Sequence, residues 1–478
     1  MKNNYYYKQD LDKLEMYQRL IQYWSMIFDK RNCVDVLDNM NYNISMFPEI
    51  IKSEEMEQFH KIEPGYTSPD GFTELNILIR DLEYARLTTS GNVQSKEVRE
   101  LVDKAGIGCG NGCTNVMNGV VNSIIKFRNN NESKTCKDDE VALILPNYTV
   151  YTAQLSNLSK NVKPKYVYTQ RENNFLPTYK EIVNAISEKT AAVIITYPNN
   201  PAQFTYEGES VDELKKIAKY CQKNKVFLVV DNIYQDMLYP RDRKFTEIFN
   251  LVDSLDYIIK VYGSSKDTPF YSGYRTGYWF GDPRLLDIYK YYISSTENSL
   301  NTYTLSKFSL NMYFKLKCLT NTVPTLEDMH YFSYGVFGWS QTVDQAKLFE
   351  NITRLNLFEK YKERINKSYD IQEEAIKGVI EYVKDSKVFS DYINQNIGNV
   401  FLIKVNAEYF TGTDYEFFDF TFNEVKCGIL PGNVFGMPDS ENEVWFRITL
   451  LHDNIENIIK SLSKIENVLL KQKLAIVT

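Results

Sequence analysis

Between about residues 100 and 285 the chain alternates short apolar runs with stretches of helical periodicity. The runs are 141–146 (VALILP), 191–196 (AAVIIT), 226–230 (VFLVV), 257–261 (YIIKV) and 277–280 (GYWF). Their length, and their lack of strict apolar–polar alternation, suit strands covered on both faces of a mostly parallel sheet. The segments between them carry helix starts. Thr178 with Glu181, and Ser210 with Glu213, both fit the reciprocal capping pattern. Behind the second pair, Val211, Leu214, Ile217, Ala218 and Cys221 recur on one helical face. Strands alternating with helices imply right-handed crossovers and a layered α/β domain.

Beyond about residue 350 the pattern changes. A long helical stretch over 351–384 precedes strand-like pieces at 400–405 and 444–450. A closing helix carries Ile455, Ile458, Ile459, Leu462, Ile465 and Leu469 on one stripe. This reads as a smaller α+β domain completed by the N-terminal segment. The expected division is 1–75 joining the small domain, 76–325 as the large domain and 326–478 as the rest of the small one. At 478 residues two or three units are anticipated, and no internal repeat or low-complexity linker separates them.

Composition narrows the function classes. A net charge of −7 gives no electrostatic case for nucleic acid or an anionic membrane as partner. The seven cysteines are scattered without a CxxC pair, and with three histidines they suggest no metal site. They read as reduced thiols. The N-terminus lacks an apolar leader and no stretch approaches a membrane span, so the chain reads as soluble and cytoplasmic.

Candidate chemistry lies just after the apolar runs, where open α/β sheets bind ligands. Residues 108–114 (GCGNGCT) are glycine-rich and open a helix whose buried face is Val116, Met117, Val120, Val121, Ile124 and Ile125, with Thr114 as the expected cap. Free amides at such a start make a phosphate cradle, although glycine turns before helices are common. With no strand expected before it and no GKS or GKT, it is neither a P-loop nor a dinucleotide fingerprint. Asp231 ends the VFLVV run, where a carboxylate is costly unless a cation meets it; a helix cap is the plain alternative. Lys266 follows the YIIKV run within GSSK, and Arg275 follows within SGYRTG. A lysine beside hydroxyls, an arginine and glycines suits an anion site holding an amine nucleophile, where a lone lysine would be solvated surface.

Taken in order, these elements resemble the class I/II aminotransferase family, pyridoxal 5′-phosphate (PLP) enzymes of fold type I. Residues 198–202 (PNNPA) resemble its Asn-Pro signature, and Asp231 with Tyr234 its Asp-x-Ala-Tyr element. Ser265-Lys266 with 273–277 (GYRTG) resembles its lysine and arginine motif. Tyr66 with Gly71, Pro146 with Tyr148, and 431–435 (PGNVF) followed by Phe446-Arg447-Ile448 extend the likeness over roughly 60–470. The fold implied is α/β, with a mostly parallel seven-stranded-type sheet between helices and a smaller α+β domain from both chain ends.

The resemblance also implies roles. Lys266 would hold PLP as a Schiff base and shuttle a proton between the substrate Cα and C4′. Asp231 would pair with the pyridine nitrogen, Asn200 and Tyr234 would hydrogen-bond the phenolic oxygen, and Tyr148 would stack on the ring. The phosphate would meet Gly112, Cys113, Thr114, Ser265 and Arg275, with Tyr66 reaching across a homodimer. Arg447, with Asn200, would take the substrate carboxylate; an ion pair with a nearby acid such as Glu443 is its structural alternative. The reaction implied moves an amino group between an L-amino acid and a 2-oxo acid. A β-lyase, decarboxylase, cyclising synthase or non-catalytic PLP-binding regulator uses the same fold, although no basic helix-turn-helix segment accompanies it here.

This chain departs from the family in places. Gly263 stands where many relatives have serine, the Lys266-to-Arg275 spacing is one residue longer, and Ile233 replaces the family's alanine. The stretch between Arg275 and Arg447 is long. Within it, 331–339 (YFSYGVFGW) reads either as a substrate-pocket wall or as ordinary aromatic core.

Overall fold

A computed structural model describes residues 13–29, 34–37, 68–90, 95–130, 139–158, 161–237, 245–266, 275–297, 300, 302–332, 344–393, 400–437, 443–450 and 454–477. After a short strand β1 (Asp35–Val36) come the seven strands of the main sheet. These are β2 (Gly106–Gly110), β3 (Asp139–Leu145), β4 (Val162–Tyr168), β5 (Thr190–Thr196), β6 (Phe227–Asp231), β7 (Ile258–Gly263) and β8 (Gly277–Gly281). Their spatial order is β2-β8-β7-β6-β5-β3-β4. Only β8 runs against its neighbours β2 and β7; the other pairings are parallel. Every residue of β5, β6 and β7 is buried, as expected for strands with helices on both sides. The α/β class and mostly parallel sheet therefore agree with the sequence pattern, and the seven strands with what the resemblance implies.

Two of these strands escape the apolar pattern for physical reasons. In β2 (GIGCG), a Cβ on Gly108 would lie 2.4 Å from Trp279 Nε1 and 2.7 Å from the Tyr289 ring. The glycines make room for two large aromatic residues, at the cost of any apolar signature. A strand does precede the glycine-rich turn, contrary to expectation. β4 (VKPKYVY) lies at the sheet edge, where Pro164 and part-exposed positions are tolerated.

Helix starts are similarly mixed. Thr178 and Glu181 form the capping box, with the Thr178 amide donating to Glu181 Oε2 at 2.7 Å. The Ser210–Glu213 box does not form. A tight turn, Gly208–Ser210, winds ahead of the helix Val211–Lys223, so Ser210 is already helical and pairs back with Glu207. Glu213 instead accepts from the Tyr179 amide at 2.8 Å. The single helix expected over 351–384 is two, Gln345–Arg354 and Leu357–Asp385. The break is Asn356, in the left-handed region at φ 54°, which asparagine tolerates better than most residues.

Two large buried apolar clusters organise the described residues, with a small third (Phe175, Ala202, Ile393, Leu402, Met437 and Trp445) between them. One surrounds the main sheet and includes Leu78, Val120, Leu143, Val193, Leu228, Ile259 and Trp279. The other joins Leu20, Tyr23 and Ile27 near the N-terminus to Val379, Phe401, Phe446, Leu462 and Leu469. It covers a four-stranded antiparallel sheet, ordered β12 (Leu430–Pro431), β13 (Trp445–Thr449), β10 (Val400–Val405) and β9 (Phe389–Tyr392). β1 pairs in parallel with β11 (Cys427–Gly428), tying the N-terminal segment to this second unit.

A buried ionic network stands on the large-sheet side. Lys260, fully enclosed in β7, reaches Glu83 at 2.7 Å and Glu247 at 3.0 Å. Glu83 also meets Arg86 at 2.7 Å, and Arg86 meets Asp236 at 2.8 Å. Asp236 is joined by Lys315 at 2.5 Å and by the Tyr262 hydroxyl at 2.5 Å. Burial pushes the Asp236 carboxyl up, but Arg86 and Lys315 outweigh it and hold the group below its usual range. Three cations and three anions thus offset one another's desolvation. The network fixes the segment just beyond Tyr234 to the strand that leads to Lys266.

Candidate active site

A cleft of about 300 Å³ opens beyond the carboxyl ends of β5, β6 and β7. Along one side runs the glycine-rich turn. Gly112, at φ 89° and ψ 162°, is the residue before the helix Cys113–Asn129. Thr114 is therefore not the cap but lies within the first turn, where it lines the cleft. A Cβ on Gly112 would sit 2.8 Å from Arg275 Nη2 and 3.0 Å from its Cζ, so only glycine lets the guanidinium lie across the helix start. Arg275 and Ser265 line the cleft together with Cys113 and Thr114. Free helix amides with a guanidinium and hydroxyls are an anion cradle. The Gly263 departure has a steric basis here, since a Cβ would meet Cys113 Sγ at 2.8 Å and the Thr276 carbonyl at 3.0 Å.

Asp231 ends β6 and is 2% exposed. Its carboxylate accepts from the Tyr151 hydroxyl at 2.5 Å and from the Ile233 amide at 3.1 Å. Burial pushes its pKa up to about 6, against hydrogen bonds from Tyr151, Ile233 and Thr196 that favour the charged form. Tyr151 and Ile233 are neutral donors, and a cationic group entering the cleft would offset the cost of burying the carboxylate. A protonated pyridine nitrogen has that chemistry. Burial, with Asp231 adding to it, drives the Tyr151 phenol well above its usual range and keeps it a donor.

The cleft is also lined by Arg447, 2% exposed in β13 (Trp445–Thr449). Its Nη1 donates to Asn200 Oδ1 at 3.2 Å, and its guanidinium lies 4.4 Å from the Phe435 ring centroid. The alternative ion pair with Glu443 is not formed; Glu443 accepts from Lys404 at 2.5 Å on the neighbouring strand. Lys266 closes the tight turn Ser264–Lys266 directly after β7 and lines the cleft with Tyr234, Ile233 and Tyr148. The Tyr148 ring stands edge-on to Tyr151, 5.6 Å away.

Most of the residues singled out from sequence thus face one space: Cys113, Thr114, Tyr148, Asn200, Asp231, Tyr234, Ser265, Lys266, Arg275 and Arg447. Gly112 lies against Arg275. Tyr66 and residues 267–274 lie outside the described residues. Gly71, at φ 103°, packs beneath the glycine turn, where a Cβ would be 2.9 Å from Cys109 Sγ. Of the aromatic stretch 331–339, Tyr331 and Phe332 are described; both are buried, Tyr331 donates to Asp81 at 2.6 Å, and neither lines the cleft. Sequence reasoning missed Tyr151, Thr196, Leu20 and Trp24. Thr196 ends an identified strand and Tyr151 follows Tyr148 by three, so both carried a positional signal. Leu20 and Trp24 carried none beyond an amphipathic helix.

Residues 129–308 match the model of the family described as aminotransferase class I and II. The chain is 29% identical over 164 residues to the aspartate aminotransferase of Thermotoga maritima, and 33% identical over 149 residues to that of Bacillus sp. (strain YM-2). These matches span 34% and 31% of this chain, and 41% and 36% of the relatives' own lengths. Among solved structures, the aspartate aminotransferase from Thermotoga maritima superposes with a TM-score of 0.63 at 18% identity, over 96% of this chain and 99% of that one. The aromatic aminotransferase from Pyrococcus horikoshii gives 0.64 at 17% identity, over 92% and 96%. The strand order, the cleft at the strand ends and these matches agree: residues 129–308 are similar to the class I and II aminotransferases, and the chain shares the fold of these two solved aminotransferases over more than nine-tenths of its length.

Proposed function

We propose that the protein is a PLP-dependent aminotransferase that moves an amino group between an L-amino acid and a 2-oxo acid. The observation that carries this is the shared cleft. It sets a buried carboxylate, a lysine after a strand end, an anion cradle and a buried arginine around about 300 Å³. In this reading Lys266 holds the cofactor's aldehyde carbon and Arg275, Ser265 and the amides at Gly112, Cys113 and Thr114 hold its phosphate. Asp231 meets the ring nitrogen, Asn200 and Tyr234 the phenolic oxygen, and Tyr148 the ring face. When bound, PLP supplies the electron sink for the pair released at the substrate Cα.

The chain's own groups do the rest. Asp231, with Tyr151 donating to it, keeps a negative charge against the ring nitrogen. Arg447 binds and orients the substrate carboxylate as a charge-assisted fork, steadied by Asn200 and the Phe435 ring. Lys266 Nζ, at the strand end and lining the cleft, would take the Cα proton as a general base.

The proposal includes a cytoplasmic homodimer to which Tyr66 contributes across the interface. No helix among the described residues is long and apolar enough to cross a membrane. It also includes a large domain carrying the cofactor and a smaller one built by both chain ends. The two buried clusters support two units, but with a later boundary than residue 326: Met329, Tyr331, Phe332, Leu348, Ile352 and Tyr361 pack with the main-sheet cluster, and the second cluster takes over from Ala375 within the helix Leu357–Asp385. The test is half-reaction spectroscopy: an amino donor should convert bound PLP to the pyridoxamine form. A β-lyase or decarboxylase would release product without that conversion, and a non-catalytic binder would do neither.

A further inference from the structure

Asn111 and Asn115 flank the point where the glycine-rich turn becomes the helix Cys113–Asn129. Their side-chain amides end on one carboxylate. Asn111 Nδ2 donates to Glu297 Oε2 at 2.5 Å, and Asn115 Nδ2 donates to Glu297 Oε1 at 2.7 Å. The Asn111 backbone amide donates in turn to Asn115 Oδ1 at 3.1 Å. Three residues thus close a ring of hydrogen bonds that ties position 111 to position 115. Gly110 makes room for it, since a Cβ there would lie 2.8 Å from Asn115 Oδ1. Between the two asparagines stand Cys113 and Thr114, whose amides open the helix, where intrahelical acceptors are lacking.

Glu297 sits where its own helix disfavours it. It is the residue that closes Leu286–Thr296, at a helix end whose dipole favours a cation over a carboxylate. The same helix is strapped to the turn's two flanks. The Tyr289 hydroxyl donates to the Cys109 carbonyl at 2.8 Å, just before the turn, and Asn118 Nδ2 donates to the Tyr292 hydroxyl at 2.8 Å, just after it. Those contacts seat the helix, and Glu297 carries the grip to the turn itself. Its two bonds are charge-assisted, stronger than the neutral contacts beside them. They brace a segment whose glycines would otherwise leave its backbone free to take other conformations.

We propose that Glu297 is a positioning residue for the cofactor's phosphate. Through Asn111 and Asn115 it fixes the turn so that the Cys113 and Thr114 amides serve one anion, while its own carboxylate stays off that anion. The inference rests on the function proposed above, since it takes this turn as the phosphate cradle.

Equilibrium dialysis of the full chain, freed of cofactor, with PLP, pyridoxal and inorganic phosphate as separate probes tests it. Glu297→Ala should weaken PLP and inorganic phosphate by about tenfold or more, as loss of hydrogen bonds to a charged group does, and leave pyridoxal within about twofold. Glu297→Gln should hold PLP within about threefold of the parent, because its oxygen still accepts from Asn115 and the Asn111 amide can turn to accept from the new NH₂. Pyridoxal weakened as much as PLP would mark a general structural role and overturn the inference. Tighter PLP binding in Glu297→Ala, the result of plain repulsion between carboxylate and phosphate, also overturns it. The two readings fail separately. PLP fixed on Lys266 with an affinity indifferent to Glu297→Ala keeps the proposed function and removes the clamp. Phosphate held in a Glu297-dependent way by a protein that takes up no PLP keeps the clamp and removes the aminotransferase.

Discussion

The Tyr151 phenol donates to the Asp231 carboxylate across 2.5 Å, with both groups buried. Burial holds Asp231 up at about 6 against an ordinary 3.8. Between those values the folded chain keeps a proton that the unfolded chain has released. The contribution of this group to stability is therefore full below about pH 4 and is lost as the pH rises through about 6, by about 3 kcal/mol. Urea denaturation of the cofactor-free protein from pH 4 to 8 should show this decline. Asp231→Asn should flatten it. Tyr151→Phe removes a hydrogen bond to the charged form and should move the decline to higher pH. An unchanged profile in Asp231→Asn would assign the pH dependence to other groups.

Arg447 is desolvated between Asn200 and Phe435. In the proposed complex it pairs with the substrate carboxylate, and removing one partner of a desolvated charge pair costs roughly 2–5 kcal/mol, or about thirty- to several-thousand-fold. Arg447→Ala should lower kcat/KM for amino acids by that factor and leave the absorbance of the bound cofactor unchanged. Amines without a carboxylate should be no worse as substrates of the variant than of the parent protein.

Gly112 allows the Arg275 guanidinium within 2.8 Å of where a Cβ would stand, and does so at φ 89°. Gly112→Ala introduces both a steric clash and a strained backbone, together about 1–3 kcal/mol. The expected outcome is weaker retention of PLP and of inorganic phosphate, measured by equilibrium dialysis. Equal retention would remove the glycine turn from the phosphate site.

Lys260 joins Glu83 and Glu247 without solvent. Lys260→Met leaves two buried carboxylates short of a cation and should destabilise the chain by about 3–5 kcal/mol. Chemical denaturation checks this. A loss under about 1 kcal/mol would mean that the network's other cations suffice.

Much of this arrangement was legible because the main strands are buried on both faces and so are written as uninterrupted apolar runs. The positions after those runs, Asp231 and Lys266 among them, fall at the cleft because ligands bind beyond strand carboxyl ends. β2 was hidden because its information lies in what glycine omits: room for Trp279 and Tyr289. Ser210 and Glu213 satisfy the capping spacing, but one preceding turn shifted the helix start, which spacing alone does not register. Tyr151 and Trp24 reach the cleft through packing between segments distant in sequence, and neither periodicity nor a local motif encodes that.

Lys266 carries the central claim, since every other assignment is arranged around it. Borohydride reduction of the purified, cofactor-loaded protein, followed by peptide mapping, tests it directly. A single modified peptide bearing the cofactor on Lys266, absent in Lys266→Ala, is the predicted result. A cofactor fixed to a different lysine, or no protein that takes up PLP, would contradict the account.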